Sequence, residues 1–573
     1  MNDAENLTLT TKLSITPELS WTPAQVHAAC SLYNINSPTV KYSRLLVLGC
    51  GGGDELLSIA MAYPFASIVG IDLITEGNEI QQQKLMVHAP ANLKLYALSV
   101  EQILGLEDKG WDYVVIHNTF SYLNRQVSSA LLQHLGGLLA NNGVILFQWA
   151  SLPGAAHLDT LRDALQIYSS QVTSLEMQLA RAKLMLASLS LASNSLAMRE
   201  ELNKSERLSD TLFAHHYLES SRDSEYLVEF HSRINNLGLC YVGDIDTASE
   251  LPESYELKIG ELHAALGEKQ QKVLLQQNLD LLTYRPGRFS ILTSEKNAEK
   301  VSLLPLRSEF QKMRFAGSFR RTASDDRNVY SSLAGHDGLK VATTDEVTLA
   351  VLDLLGDAWP RSVTFEQIVF HCEIVGTQDA EDNRSAIENI LWTLFLKRLP
   401  TLHICKGLDV YSTDEDLHVH VLSSVTAQLA ANPQAVWLIN GWGERVRLTE
   451  AERRQLLTPI VVESESWAVL DSLYFKGLLN AGGVGWKHFL QEMIRCCPPT
   501  AISKMASALF LYSSDESAFG FMTNEQRKAD KVKNVAEFVE DDVELTNEQL
   551  QVIRNYTLRG QYSKAYDVAC SLL

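Results

Sequence analysis

Long apolar runs are missing from this chain. The most extended, residues 45–48 (LLVL) and 144–147 (VILF), have the length of a strand. A bilayer-spanning helix needs about 20 apolar residues, so membrane insertion is not expected. The first residues, 1–11, are polar and lack the charged-then-apolar pattern of an export signal. Cysteine is scarce, at 8 in 573 residues, and only Cys496 and Cys497 lie close together. Neither a CxxC pair nor a zinc-ligand spacing occurs, so no metal is expected and the thiols are read as reduced, in the cytoplasm. Positive charge is also short: 49 Lys and Arg against 69 Asp and Glu give a formal net charge of −20. That balance disfavours nucleic acid and anionic membrane faces, and is compatible with a basic target such as a lysine-bearing protein surface.

What is present is an ordinary globular composition, 46% hydrophobic and 21% charged, in a chain too long for one core. An N-terminal helical segment is expected over 1–44. Strand-like runs at 45–48, 67–71, 93–97, 113–117 and 144–149 follow, with helical spacing at 55–62 and 131–139. Alternation of this kind indicates an α/β unit with a parallel sheet covered on both faces. Two later strand signals, 239–242 and 289–292, are assigned to the same sheet as an antiparallel closing pair, so this unit extends to about 297.

Between these parts, residues 155–237 contain neither glycine nor proline. Leu161, Leu165, Tyr168, Val172, Leu175, Leu179, Ala182, Leu186 and Leu189 recur there at spacings of four and three, the seam of a long helix. Its partner is either a later helix of the same insertion, near 206–220, or a second copy of the chain. Residues 298–342 are polar, with Arg314, Arg320, Arg321 and Arg327, and read as a linker. Over 343–415, three helix patterns and a hairpin of 402–405 with 409–412 suggest a winged-helix-like unit, opened by the capping box Thr343-x-x-Glu346. Asp379, Glu381, Asp382 and Glu388 surround its would-be recognition helix, which argues against DNA. Residues 416–573 are expected to be mainly helical.

The chemistry concentrates after the first strand. Gly49, Gly51, Gly52 and Gly53 surround Cys50 in a turn between strand and helix, where glycine allows positive φ and close approach of a ligand. The second strand ends at Asp72, followed by Leu73; a carboxylate there can accept hydrogen bonds from both hydroxyls of a ribose. The GxGxG spacing, rather than GxGxxG, favours S-adenosylmethionine over a dinucleotide, because the methyl donor has no pyrophosphate to seat on a helix N-terminus. Ser99 and Glu101 follow the third strand and are candidates for contact with adenine. Glu101 is equally readable as a first-turn helix acid.

The fourth strand runs into His117-Asn118-Thr119-Phe120-Ser121-Tyr122-Leu123, at the sheet edge where ligands of open parallel sheets lie. Methyl transfer is an in-line displacement that needs a neutral nucleophile, alignment and dry walls. Phe120, Tyr122 and Trp149 are candidate aromatic walls, Asn118 a group that orients the acceptor, and His117 a proton acceptor or a strand-ending cap.

The chain resembles bacterial class I methyltransferases that carry a methyltransferase regulatory domain and a C-terminal winged-helix module. The resemblance lies in 117–123 (HNTFSYL), Leu152-Pro153-Gly154, 215–219 (HHYLE), 226–230, 238–244 (GLCYVGD), Leu279-Asp280, Arg288-Phe289 and Trp359-Pro360. It implies a Rossmann-like catalytic sheet with a helical insertion and mainly helical C-terminal domains. It also implies an enzyme, often dimeric, that methylates lysine side chains of a protein. Asn118, Tyr122 and Ala150 stand where the family pattern has Gly, Trp and Asn. Two other readings remain open: methylation of a small molecule or envelope precursor, and a catalytically degenerate protein that keeps the fold.

Overall fold

The first four strands of the sheet run parallel: β1 (Arg44–Leu48), β2 (Ser67–Asp72), β3 (Leu93–Ala97) and β4 (Trp111–Ile116). β5 (Leu139–Ala150), β6 (Leu239–Asp244) and β7 (Gly287–Ser294) complete it in the spatial order 3-2-1-4-5-7-6. The structure is a computed structural model that describes residues 8–9, 21–72, 76–117, 123–192, 196–206, 208, 210–219, 224–255, 257–266, 271–322, 328–332, 340–375, 380–399, 401–411, 419–458 and 467–481. The α/β expectation holds for every strand. The closing pair is different from the one expected: β7 alone runs antiparallel, inserted between β5 and β6. The helix Leu227–Asn235 carries β6 past a one-strand gap, in the direction of β5, and β7 then fills the gap.

Residues 45–48 of β1 are fully buried because both faces of the sheet are covered. One face packs on α1 (Pro23–Leu32), α2 (Asp54–Ala62) and α3 (Glu76–Met86), and that core continues into residues from 405 to 479. The other carries α4 (Val100–Leu104), α5 (Arg125–Gly136) and the helix Leu227–Asn235. The start signals are local: Thr22 accepts from Gln25 N ahead of Pro23, and Asn124 accepts from Val127 N at 2.9 Å.

The uninterrupted heptad helix is not formed. The chain breaks at 170–174, giving α6 (Ala156–Ser169) and α7 (Leu175–Ala192). Leu161 and Leu165 of α6 meet Ala182 and Leu186 of α7, with Phe213 and Tyr217 closing the cluster. The seam is thus buried within the chain, against the later helical segment. Periodicity alone did not register the turn, because it contains no glycine or proline.

The stretch read as a linker is structured. Arg314–Gly317 is the middle strand of a small sheet, flanked by Val363–Thr364 and Leu402–Cys405. The expected wing hairpin is therefore corrected: 402–405 pairs with 314–317, and Asp409 anchors a turn instead, accepting from Ser362 N at 3.0 Å and Tyr411 N at 2.9 Å. The helix Glu346–Ala358 is capped by Asp345, which accepts from Thr348 N at 2.8 Å, because Thr343 belongs to the preceding strand. Beyond it, short helices alternate with two-stranded ladders at 437–447 and at 419–421 with 479–481. These residues dock directly on the sheet domain, where Ser58 Oγ donates to Ser424 Oγ at 2.9 Å and Tyr63 OH to the Leu408 carbonyl at 2.7 Å. Of the stretch expected to be mainly helical, residues 482–573 lie outside the described residues. Among the described residues no helix is long and apolar enough to cross a membrane.

Candidate active site

The turn after β1 alternates in conformation, with φ of 95° at Gly49, 53° at Gly51 and 92° at Gly53. Each positive φ costs a side-chain-bearing residue about 1–2 kcal/mol. The surroundings then separate the glycines. A Cβ at Gly53 would lie 2.4 Å from Leu95 Cδ1, whereas one at Gly51 meets nothing within 4 Å. Gly53 is required by packing; the crest at Gly51 opens onto the space a ligand needs. Gly53→Ala is accordingly expected to lower stability by about 2–4 kcal/mol, strain and overlap together. Gly51→Ala should lose no more than the strain, and urea denaturation of the two variants checks the difference.

Asp72, 2% exposed at the end of β2, turns its carboxylate back to accept from Gly51 N–H. On the other side of the crest, Gln82 of α3 donates to the Gly51 carbonyl at 2.9 Å, and Gln81 to Asp54 at 3.2 Å. These glutamines were not anticipated; their only signal in the sequence is their place on the helix that follows Asp72. Cys50 is buried, and its thiol is pushed up by burial, then by Asp72 and Glu55, so it stays protonated. Leu73 lies outside the described residues.

Ser99 caps α4: its hydroxyl accepts from Gln102 N at 3.3 Å while Gln102 Oε1 accepts from Ser99 N at 2.8 Å. The sequence S-x-x-Q was the readable signal for this capping box. Glu101 is exposed in the first turn, and backbone N–H and Ser99 hydrogen bonds hold its carboxyl below the ordinary range.

His117 ends β4, its N–H donating to the Leu48 carbonyl at 3.1 Å. The ring is 5% exposed, stacked on Phe289 at 6.3 Å and edge-on to Trp21 at 6.1 Å. Its Nε2 lies 3.6 Å from Oε2 of Glu55, in the first turn of α2. Burial drives both groups toward their neutral forms, pulling the imidazole down to about 4 and pushing the carboxyl up to about 7. The Trp21 indole beside Glu55 offsets part of that rise from outside hydrogen-bond geometry. Glu55, Trp21 and Phe289 were all missed from sequence, since nothing local links three positions so far apart in the chain.

Trp149 is placed on the opposite face from His117, 5% exposed and stacked on Phe230 at 4.3 Å. Its indole N–H donates to Ser290 Oγ at 3.0 Å, and Ser290 donates to Asp244 at 2.7 Å. Asp244 belongs to a buried ion cluster. Arg288 binds Asp280 through two nitrogens, at 2.7 and 2.8 Å, and Asp244 at 2.7 Å, with Arg285, Glu250 and Lys272 completing it. Three segments that carried the family resemblance, 238–244, 279–280 and 288–289, are thus joined by direct ion pairs. Asn118 and Tyr122 lie outside the described residues.

The donor set fits a cationic nucleoside ligand. Residues 49–83 contain no Lys, Arg or His, so the turn and its flanking elements offer a pyrophosphate no cation of their own. S-Adenosylmethionine would offer a ribose to Asp72 and cations to the remaining acids. Among the described residues no cluster of metal-binding side chains occurs.

Comparison with known proteins agrees with this geometry. Residues 46–145 match a methyltransferase domain family and residues 209–294 a predicted methyltransferase regulatory domain. The solved structure of PKMT2 from Rickettsia typhi superposes with a TM-score of 0.64 at 17% identity, over 96% of this chain and 99% of that one. A second structure of it, with AdoHcy, gives the same figures. Two uncharacterized proteins of Rickettsia prowazekii are also similar. RP789 is 25% identical over 47% of this chain and 49% of its own, so that match spans about half of the relative. RP028 is 28% identical over 36% of this chain and 85% of its own. The fold is that of the class I methyltransferases. In chain order the protein carries a methyltransferase domain and then a predicted methyltransferase regulatory domain, as their family matches place them.

Proposed function

We propose that the chain is a protein-lysine N-methyltransferase of the cytoplasm. The observation that carries this reading is architectural: the likeness to PKMT2, a protein lysine methyltransferase, extends over nearly the whole of both chains, well beyond the catalytic sheet. The formal net charge of −20 is in keeping with a lysine-bearing target. S-Adenosylmethionine supplies the methyl group on a sulfonium. Asp72 and the 49–53 turn hold the nucleoside, with Ser99 and Glu101 beside the adenine. His117 stays neutral, so it adds no positive charge where the cofactor already has one. Asn118 and Tyr122 are assigned to the lysine acceptor. A homodimer through 155–237 has its support in Met177, Leu184 and Leu191, which remain exposed along one face of α7.

Incubation of the full chain with labelled S-adenosylmethionine and total protein, resolved by mass spectrometry, tests the proposal. Label is expected on lysine and is expected to vanish with Gly51→Arg, whose side chain fills the open crest. Label in a soluble metabolite alone would replace the protein acceptor with a small molecule. Cofactor binding with no transfer at all would leave a non-catalytic protein.

A further inference from the structure

The order 3-2-1-4-5 places the crevice of this sheet between β1 and β4, where the winding direction reverses. Asp72 lies on the β2 side of the glycine turn. Glu55, rising on α2, and His117, ending β4, face each other on the crevice side at 3.6 Å. A ligand whose ribose meets Asp72 and whose body crosses the turn brings its other end to Glu55. For S-adenosylmethionine that end carries an α-ammonium and a sulfonium. Trp21, His117 and Phe289 are rings around the same position, which suit an alkylated cation but supply no counter-charge. A fifth of the Glu55 side chain is exposed, so it is open to a ligand, while His117 behind it is nearly closed off.

We propose that Glu55 is the carboxylate that receives the cationic end of S-adenosylmethionine, and that cofactor binding at this position is coupled to proton release. Free Glu55 is pushed toward its protonated form by burial, with a midpoint of about 7, so that below neutral pH most of it carries a proton. A cation at contact distance favours the anion, so the proton leaves to solvent as the ion pair forms; no bond of the cofactor is made or broken. The titratable and charged groups around it are few among the described residues. Asp54 neighbours it on α2, raised by burial and eased by Gln81 and then by Arg445. His117 faces it from β4 with a midpoint near 4, and Cys50, which also neighbours Asp72, faces it from the turn. Linkage fixes the sign: a proton released on binding makes affinity fall as pH drops through the free-protein midpoint. Between pH 7.0 and 5.5, where an α-ammonium stays charged, the loss should be on the order of tenfold.

The inference rests on the cofactor assignment and not on the identity of the acceptor. Its test is calorimetric titration of the full chain with S-adenosylmethionine alone, at pH 6.5, in phosphate and in imidazole buffer. The heats should differ by most of one proton released in the wild type and by none in Glu55→Gln. That variant should bind more weakly, with an affinity independent of pH from 5.5 to 7.0, while Asp54→Asn keeps the release. Cofactor binding without proton release in the wild type would overturn the role of Glu55 while leaving the cofactor assignment standing. That arm needs no variant to fold. Release that persists in Glu55→Gln, or disappears only in Asp54→Asn, would overturn it as well.

Discussion

Asp280→Ala is expected to cost about 3–5 kcal/mol of folding stability, read as a lowered urea midpoint with the slope unchanged. Asp280 accepts from two nitrogens of Arg288, pairs with Arg285 at 3.3 Å and accepts from Ser151 Oγ at 3.3 Å. Arg288 is 1% exposed, so removing the carboxylate takes the partner of its Nε and Nη2 where no water can replace it, while Asp244 and Glu250 still pair with Nη1. The size of the effect comes from those buried N–H groups left without a carboxylate, not from the net worth of the pair. Lys183 provides the contrast. It also pairs with an aspartate, Asp210, but both side chains are about half exposed or more. Lys183→Ala should change stability by no more than about 1 kcal/mol. Equal losses in the two variants would show that the cluster is not dry. The cluster also reaches the catalytic sheet, through Asp244, Ser290 and Trp149, and through Asp280 and Ser151. Loosening it should therefore disturb the end of β5 before the cofactor turn.

Asp72→Ala is expected to weaken S-adenosylmethionine binding at least about 100-fold. A carboxylate that accepts from both ribose hydroxyls makes two charge-assisted hydrogen bonds, each worth about 1.5–3 kcal/mol. It also positions the turn by accepting from Gly51 N–H. Asp72→Asn keeps one acceptor oxygen of the same shape and should lose less. Calorimetric dissociation constants for the two variants check the order. A loss under threefold for Asp72→Ala would remove the ribose from this position.

The glycine turn, Asp72 and every strand of the sheet were legible in the sequence. Each is encoded within a few neighbouring residues, by strand-length apolar runs, by glycines and by a terminal acid. The capping box of Ser99 and Gln102 is encoded in the same local way, although Ser99 was read as a candidate contact to adenine. The wing and the linker were not legible, because the strand partner of 402–405 is 314–317, close to 90 positions earlier in the chain. The heptad seam was seen, but its break at 170–174 was not, since hydrophobic period records which face is buried and not where the backbone turns.

By itself, then, the sequence determined the class of chemistry, S-adenosylmethionine-dependent methyl transfer on a parallel sheet, and pointed to a glycine turn and an acid as its candidate site. Tertiary structure alone decided how that site is supported. It placed Trp149 on the face away from His117, because successive residues of a strand alternate sides and β4 and β5 present different faces at these positions. It brought Trp21, Glu55, His117 and Phe289 together from four separated segments. Burial there lowers an imidazole and raises a carboxyl, each toward its neutral form, which no local pattern of residues specifies.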